Sequence, residues 1–150
     1  DAGNLSTYVY KELGGKLQLA VWDFNNGFDN YQWFRTETDV LHTVENSWFE
    51  RLWQDETFRE RVCERYGQLR KTTLSDEHIA DKIASYQEEL GEAVDRNFKV
   101  WGYSFEENLL VGKNKTGTSR DIGSYDEAMK QLTDTIRERL AYLDKELGGN

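Results

Sequence analysis

Proline is missing from all 150 residues of this chain, where ordinary usage near 5% would supply several, and nothing in the sequence explains its absence. Cysteine occurs once, at Cys63, which excludes an internal disulfide and a cysteine-built zinc site. A lone thiol suits a reducing or anaerobic setting, or a small apolar position in the interior. The interior is the expectation, because free cysteine is usually buried. Of the two histidines, His42 and His78, neither has a second His or an acid at a metal-ligand spacing, so both are expected to be surface or capping residues. Excess positive charge is lacking too. The net charge of -9 excludes sequence-independent nucleic-acid binding, which needs a basic stripe to displace counterions. It fits solubility, cation binding or a basic partner. No run approaches the ~20 apolar residues of a membrane span, and no signal-peptide pattern is present. The chain opens on Asp1 rather than Met and reads as a processed or excised piece. No glycine-rich loop opens a helix. The stretch 112–117 places its lysines between its glycines with no strand before it, so it reads as a solvated loop and not a phosphate cradle.

What is present is aromatic. Five Trp, eight Tyr and seven Phe, within a chain that is 37% apolar, are more apolar surface than a disordered chain carries. The length is one domain's worth. The first thirty residues are strand-like: 5–11 is β-branched and aromatic, 16–24 partly alternates apolar with polar, and Gly14-Gly15 lies between them. Two such runs around a glycine pair predict a β-hairpin. An isolated hairpin is marginal in water, so this one must lean on something. The run 25–30 is dense in turn formers and predicts a loop leaving the second strand.

Beyond it the periodicity is helical. Trp48, Phe49, Leu52 and Trp53 share a face over 47–54. Asp55 is placed to N-cap a second helix carrying Phe58, Val62, Tyr66 and Leu69. Ser75 opens a long third helix in which Ile79, Ile83, Tyr86, Leu90, Val94, Phe98 and Trp101 fall three or four apart. The stretch 112–123, rich in Lys, Thr and Gly, predicts a mobile loop. Ser124-Tyr-Asp-Glu127 is a capping box before a last helix bearing Met129, Leu132, Ile136, Leu140, Leu143 and Leu147, with Gly148 as its stop. The expected fold is α+β and mostly α, a hairpin followed by about four helices, in a single domain over 1–150. Within it 1–31 would form the hairpin and site region, and 47–147 the helical bundle.

The sharpest local feature is Val21-Trp22-Asp23-Phe24-Asn25-Asn26, an acid ending a strand between bulky neighbours, with amides in the loop beyond. Two readings stand. In one, the Asp23 carboxylate, with Asn25 or Asn26 adding neutral oxygens, offers the ligands that a hard cation such as Mg²⁺ takes beside phosphate and water. In the other, Asp23 caps a turn that the asparagines shape. Arg96, Arg139 and Asp144 read as structural ion pairs of the helical scaffold. The tryptophans at 22, 48, 53 and 101 are expected in the core by their periodicity. Trp33 is the one expected to be exposed, where it would stack on a sugar or peptide.

In order along the chain, Ser6-Thr-Tyr-Val-Tyr-Lys11, Gly15-Lys16, Val21-Trp22-Asp23-Phe24-Asn25, Phe28-Asp-Asn-Tyr31, Trp48-Phe-Glu-Arg-Leu52, Phe58-Arg-Glu-Arg-Val62, Arg96-Asn-Phe98 with Trp101, and 136–144 resemble the C-terminal half of CotH proteins. These are spore-coat-protein-H-like domains similar in their core to protein kinases. The resemblance implies that Asp23 holds a divalent metal, Mg²⁺ or Mn²⁺, against the phosphates of ATP. Asn25 would be a second metal ligand, standing where the family often has another acid. It implies Asp1 as the catalytic acid and Asn4 as a cofactor-binding residue. It further implies protein phosphotransfer by the full domain, with this piece contributing the metal and nucleotide-phosphate site and being inactive alone. Its first partner would be the upstream lobe of its own domain, its wider partners coat, cell-surface or cellulosomal proteins, and its location secreted, cell-surface or spore coat. The alternative function is a non-catalytic binding or structural module of a cell-surface, spore-coat or cellulosome-type protein.

Overall fold

The computed structural model of the chain describes residues 6–24, 27–30, 35–41, 47–101, 105 and 122–148. In chain order these form β1 (Thr7–Tyr10), β2 (Gln18–Val21), α1 (Ser47–Trp53), α2 (Glu56–Arg70), α3 (Asp76–Leu90), α4 (Ala93–Trp101) and α5 (Tyr125–Leu147). The class is the one the sequence predicts, α+β and mostly α. The chain divides into two compact units, one of Asp1–Gly67 with Glu138–Asn150 and one of Gln68–Arg137.

β1 and β2 pair antiparallel, with Thr7 opposite Val21, Tyr8 opposite Ala20, Val9 opposite Leu19 and Tyr10 opposite Gln18. The glycines do what their position predicts. Gly14 takes φ 75°, a conformation without steric cost for glycine alone, and the turn closes with Gly15 N–H on the Glu12 carbonyl at 2.9 Å. Strand alternation puts Tyr8 and Tyr10 on one face, where Tyr8 meets Trp22 edge to face at 6.0 Å and the Tyr10 hydroxyl donates to Gln18 Oε1 at 2.9 Å. Val9, Leu19 and Val21 share the other face. All of these apolar side chains are exposed. A strand that is apolar on both faces is built to be covered on both.

The caps form where the residues predict them. Asp55 Oδ1 accepts the Phe58 N–H at 2.8 Å to open α2, and Ser75 Oγ accepts the His78 N–H at 3.1 Å to open α3. At α5, Ser124 Oγ accepts the Glu127 N–H at 3.1 Å. The return arm of that box differs from the expected one: the Glu127 carboxylate reaches past the cap to the Gly123 N–H at 2.6 Å.

The single long third helix expected over 75–101 is two helices. Gly91 adopts φ 44°, ψ −128°, which ends α3, and α4 restarts two residues later. The apolar spacing runs on across the break, so periodicity alone does not reveal it; the isolated glycine is the one cue. Substituting Gly91→Ala would force an L side chain into a glycine-type conformation, and unfolding should show a loss of about 1–3 kcal/mol. An unchanged or raised melting point would contradict the stated backbone.

The buried apolar side chains among the described residues are Tyr66, 6% exposed, and Leu140, 8% exposed. Tyr66 on α2 also donates its hydroxyl to Asp144 on α5 at 2.7 Å, the polar partner a buried tyrosine requires. Trp22, Trp48 and Trp101 are exposed rather than core, which corrects the periodic reading. Periodicity tells which face a residue occupies, and no described element covers those faces. Cys63 is half-buried on α2 rather than fully interior.

Candidate functional site

Asp23 lies two residues beyond the last residue of β2, after Trp22 N–H has closed one more rung of the ladder on the Ser6 carbonyl at 3.0 Å. The strand therefore delivers Asp23 at the point where pairing ends. Its backbone turns into the left-handed region at φ 55°. Asp tolerates that region better than most residues, but the conformation still costs free energy, and such costs concentrate at working sites. The side chain is exposed and makes no hydrogen bond or ion pair with the described residues.

The loop beyond is closed by its own backbone. Gly27 N–H donates to the Phe24 carbonyl at 2.9 Å and Asn30 N–H to the Gly27 carbonyl at 3.2 Å, two consecutive turns. Phe28 at φ 57° and Asp29 at φ 64° lie inside the second turn, also left-handed. Phe28 is bulky, so its conformation is the less expected of the two. Asp29 shares the left-handed backbone of Asp23 but not its surroundings. It is 6% exposed, and its Oδ1 accepts the Thr36 N–H at 2.7 Å. Of the two acids, the one that ties a loop together is Asp29.

The next stretch, 35–41, is held by α5. Arg139 Nη1 donates to the Thr38 carbonyl at 2.9 Å and also to the Val40 carbonyl, while its guanidinium lies 5.4 Å from the Tyr142 ring. Glu138 accepts from the Arg35 guanidinium and from Thr38 Oγ1 at 3.3 Å. Arg139 thus bonds to backbone carbonyls, and Asp144 accepts the Tyr66 hydroxyl. Arg96 makes a loose, exposed pair with Glu92 at 3.8 Å. His78 is exposed at the start of α3 and lends its backbone to the cap.

Asp1, Asn4, Asn25 and Asn26 lie outside the described residues, as do Trp33, His42 and all but the last two residues of the loop expected over 112–123. Among the described residues no three His, Cys, Asp or Glu side chains come together as a metal-binding group. The structure therefore describes one of the expected site residues, Asp23, and adds what the sequence did not point to: Asp29, Arg35, Thr38 and Glu138. Asp29 fell in a run read as turn formers, and it bonds the Thr36 N–H seven residues downstream.

The chain is thus α+β and mostly helical, with an exposed acid on left-handed backbone just beyond the end of its hairpin. The CotH kinase protein family model matches residues 1–143. The chain belongs to the CotH family, and its domain is kinase-related. No match was found among curated proteins or among solved structures. Among the described residues no helix is long and apolar enough to cross a membrane.

Proposed function

We propose that this chain is the helical part of a protein-phosphorylating CotH domain and that Asp23 holds a divalent cation, Mg²⁺ or Mn²⁺, at the phosphates of ATP. The observation that carries this reading is the state of Asp23: an exposed carboxylate without a described partner, on left-handed backbone, at the open end of a strand pair. The donor chemistry fits, since Mg²⁺ takes one or two carboxylates and completes its shell with phosphate and water. A bound cation would supply neutralisation of phosphate charge, the main requirement of phosphoryl transfer. The chain's own part is to place one carboxylate and hold it still. Asn25 is proposed as an added oxygen donor, Asn4 as a second nucleotide-side ligand and Asp1 as the residue that accepts the substrate hydroxyl proton.

The exposed apolar faces of the hairpin support a second part of the proposal. In the complete domain those faces are covered by the upstream lobe of the same domain. Placement at the cell surface or in a spore coat, with coat or cellulosomal proteins as acceptors, is the family's expectation and is proposed on that ground alone.

Calorimetric titration of the complete protein with ATP is the direct test. Binding should depend on Mg²⁺ or Mn²⁺ and vanish with a chelator. The 150-residue chain alone should release no phosphate from ATP above background, because its sequence has no glycine-rich loop opening a helix that could cover the phosphates. ATP binding equal with and without metal would remove the reading, and turnover by the chain alone would overturn this division of the domain.

A further inference from the structure

The bonds around the candidate site form one uninterrupted path from the residue after Asp23 to α5. Phe24 is tied to Gly27 and Gly27 to Asn30 by two backbone turns. Inside the second turn, the Asp29 carboxylate reaches forward to the Thr36 N–H at 2.7 Å. Two residues on, Thr38 is gripped twice, by Glu138 through its hydroxyl at 3.3 Å and by Arg139 through its carbonyl at 2.9 Å. Arg139 also takes the Val40 carbonyl, and Arg35 joins the same Glu138 carboxylate. Asp29, the inner knot, is buried, and its bond to Thr36 and those of Arg139 in the outer knot are part-buried, where water competes poorly; the Glu138 bonds are exposed. Burying a carboxylate is costly unless its oxygens are bonded. A neutral apolar residue would fill the place of Asp29 more cheaply, were filling its only task.

We infer that Asp29 is a positioning residue for Asp23: fastened through Thr36 to Glu138 and Arg139 of α5, it fixes the double turn that sets the direction of the Asp23 carboxylate. The inference rests on the metal-binding reading of Asp23 for its consequence, though not for its geometry. Asp29 touches neither metal nor nucleotide in this account. Its effect passes through the backbone bonds that tie Phe24 to Gly27 and Gly27 to Asn30. An asparagine at 29 keeps an oxygen acceptor for Thr36 and accepts left-handed backbone, whereas an alanine keeps neither.

The test uses the complete protein with Asp29→Ala, Asp29→Asn and Arg139→Gln. Two readouts are taken on each, hydrogen exchange at the Gly27 and Asn30 amides and Mn²⁺ affinity in the presence of ATP. Asp29→Ala should speed exchange at both amides by about tenfold or more and weaken Mn²⁺ by about tenfold, the scale of losing a supporting contact behind a metal ligand. Asp29→Asn should recover most of both. Arg139→Gln, which loosens the outer knot only, should give a smaller change of the same sign, and it carries the test alone if Asp29→Ala does not fold. Wild-type exchange at Gly27 and Asn30 and wild-type Mn²⁺ affinity in Asp29→Ala would overturn the inference. Should the wild-type protein bind no Mn²⁺, the metal reading of Asp23 falls by itself, and the exchange rates alone decide the role of Asp29.

Discussion

Replacing Asp23 by Asn in the complete protein should lower the phosphoryl-transfer rate by about 10²-fold or more while leaving the melting temperature within a degree or so of wild type. The substitution keeps size, shape and tolerance of the left-handed backbone at φ 55°, and it removes one negative charge. In a closed nucleotide site, one metal-neutralising carboxylate supplies several kcal/mol of transition-state stabilisation, at about 1.4 kcal/mol per tenfold in rate. Stability should hold because the side chain is exposed and bonds to no described residue. The turn-capping reading predicts the reverse pattern. A lost cap would cost about 1 kcal/mol of stability and leave nucleotide handling untouched. Measuring turnover and thermal unfolding on the same preparation separates the two, since each reading moves a different observable.

The largest effect on stability should come from Leu140→Ala. With Tyr66, Leu140 forms the buried apolar set among the described residues. Large-to-small changes at such positions cost about 2–5 kcal/mol, from lost transfer free energy and from the cavity left behind. For a chain of this length that loss should lower the melting point by roughly 5–15 °C. Leu13→Ala is the matched control in the 150-residue chain. Its side chain is fully exposed in the hairpin turn, and an exposed change of this kind stays within about 0.5 kcal/mol. Equal destabilisation by the two substitutions would mean that the packing around Leu140 is not what supports the fold.

Local signals were legible in the sequence because they act over a few residues. Gly14 gave the hairpin its turn, Asp55 and Ser75 gave α2 and α3 their starts, and Gly148 follows the end of α5. The break at Gly91 was not legible, because the apolar spacing of Ile79 to Trp101 continues through it. The exposure of Trp22, Trp48 and Trp101 was hidden for a related reason: a periodic stripe records a face built for contact and not whether a neighbour is there. At the site, Asp23 was visible as an acid ending an apolar strand. Asp29 was not, although it stands six residues on. It bonds the Thr36 N–H, in a stretch whose anchor on α5 lies about a hundred residues away, through bonds such as Arg139 to Thr38. No local pattern encodes a contact of that span.

The central claim is that a cation binds at Asp23, and paramagnetic broadening by Mn²⁺ locates it most directly. The complete protein, labelled with ¹⁵N and saturated with a non-hydrolysable ATP analogue, is titrated with substoichiometric Mn²⁺. The account predicts that amide signals of residues 22–24 and 27 broaden first and that Asp23→Asn abolishes the selectivity. Broadening centred elsewhere, or the same pattern in the Asp23→Asn protein, would contradict it.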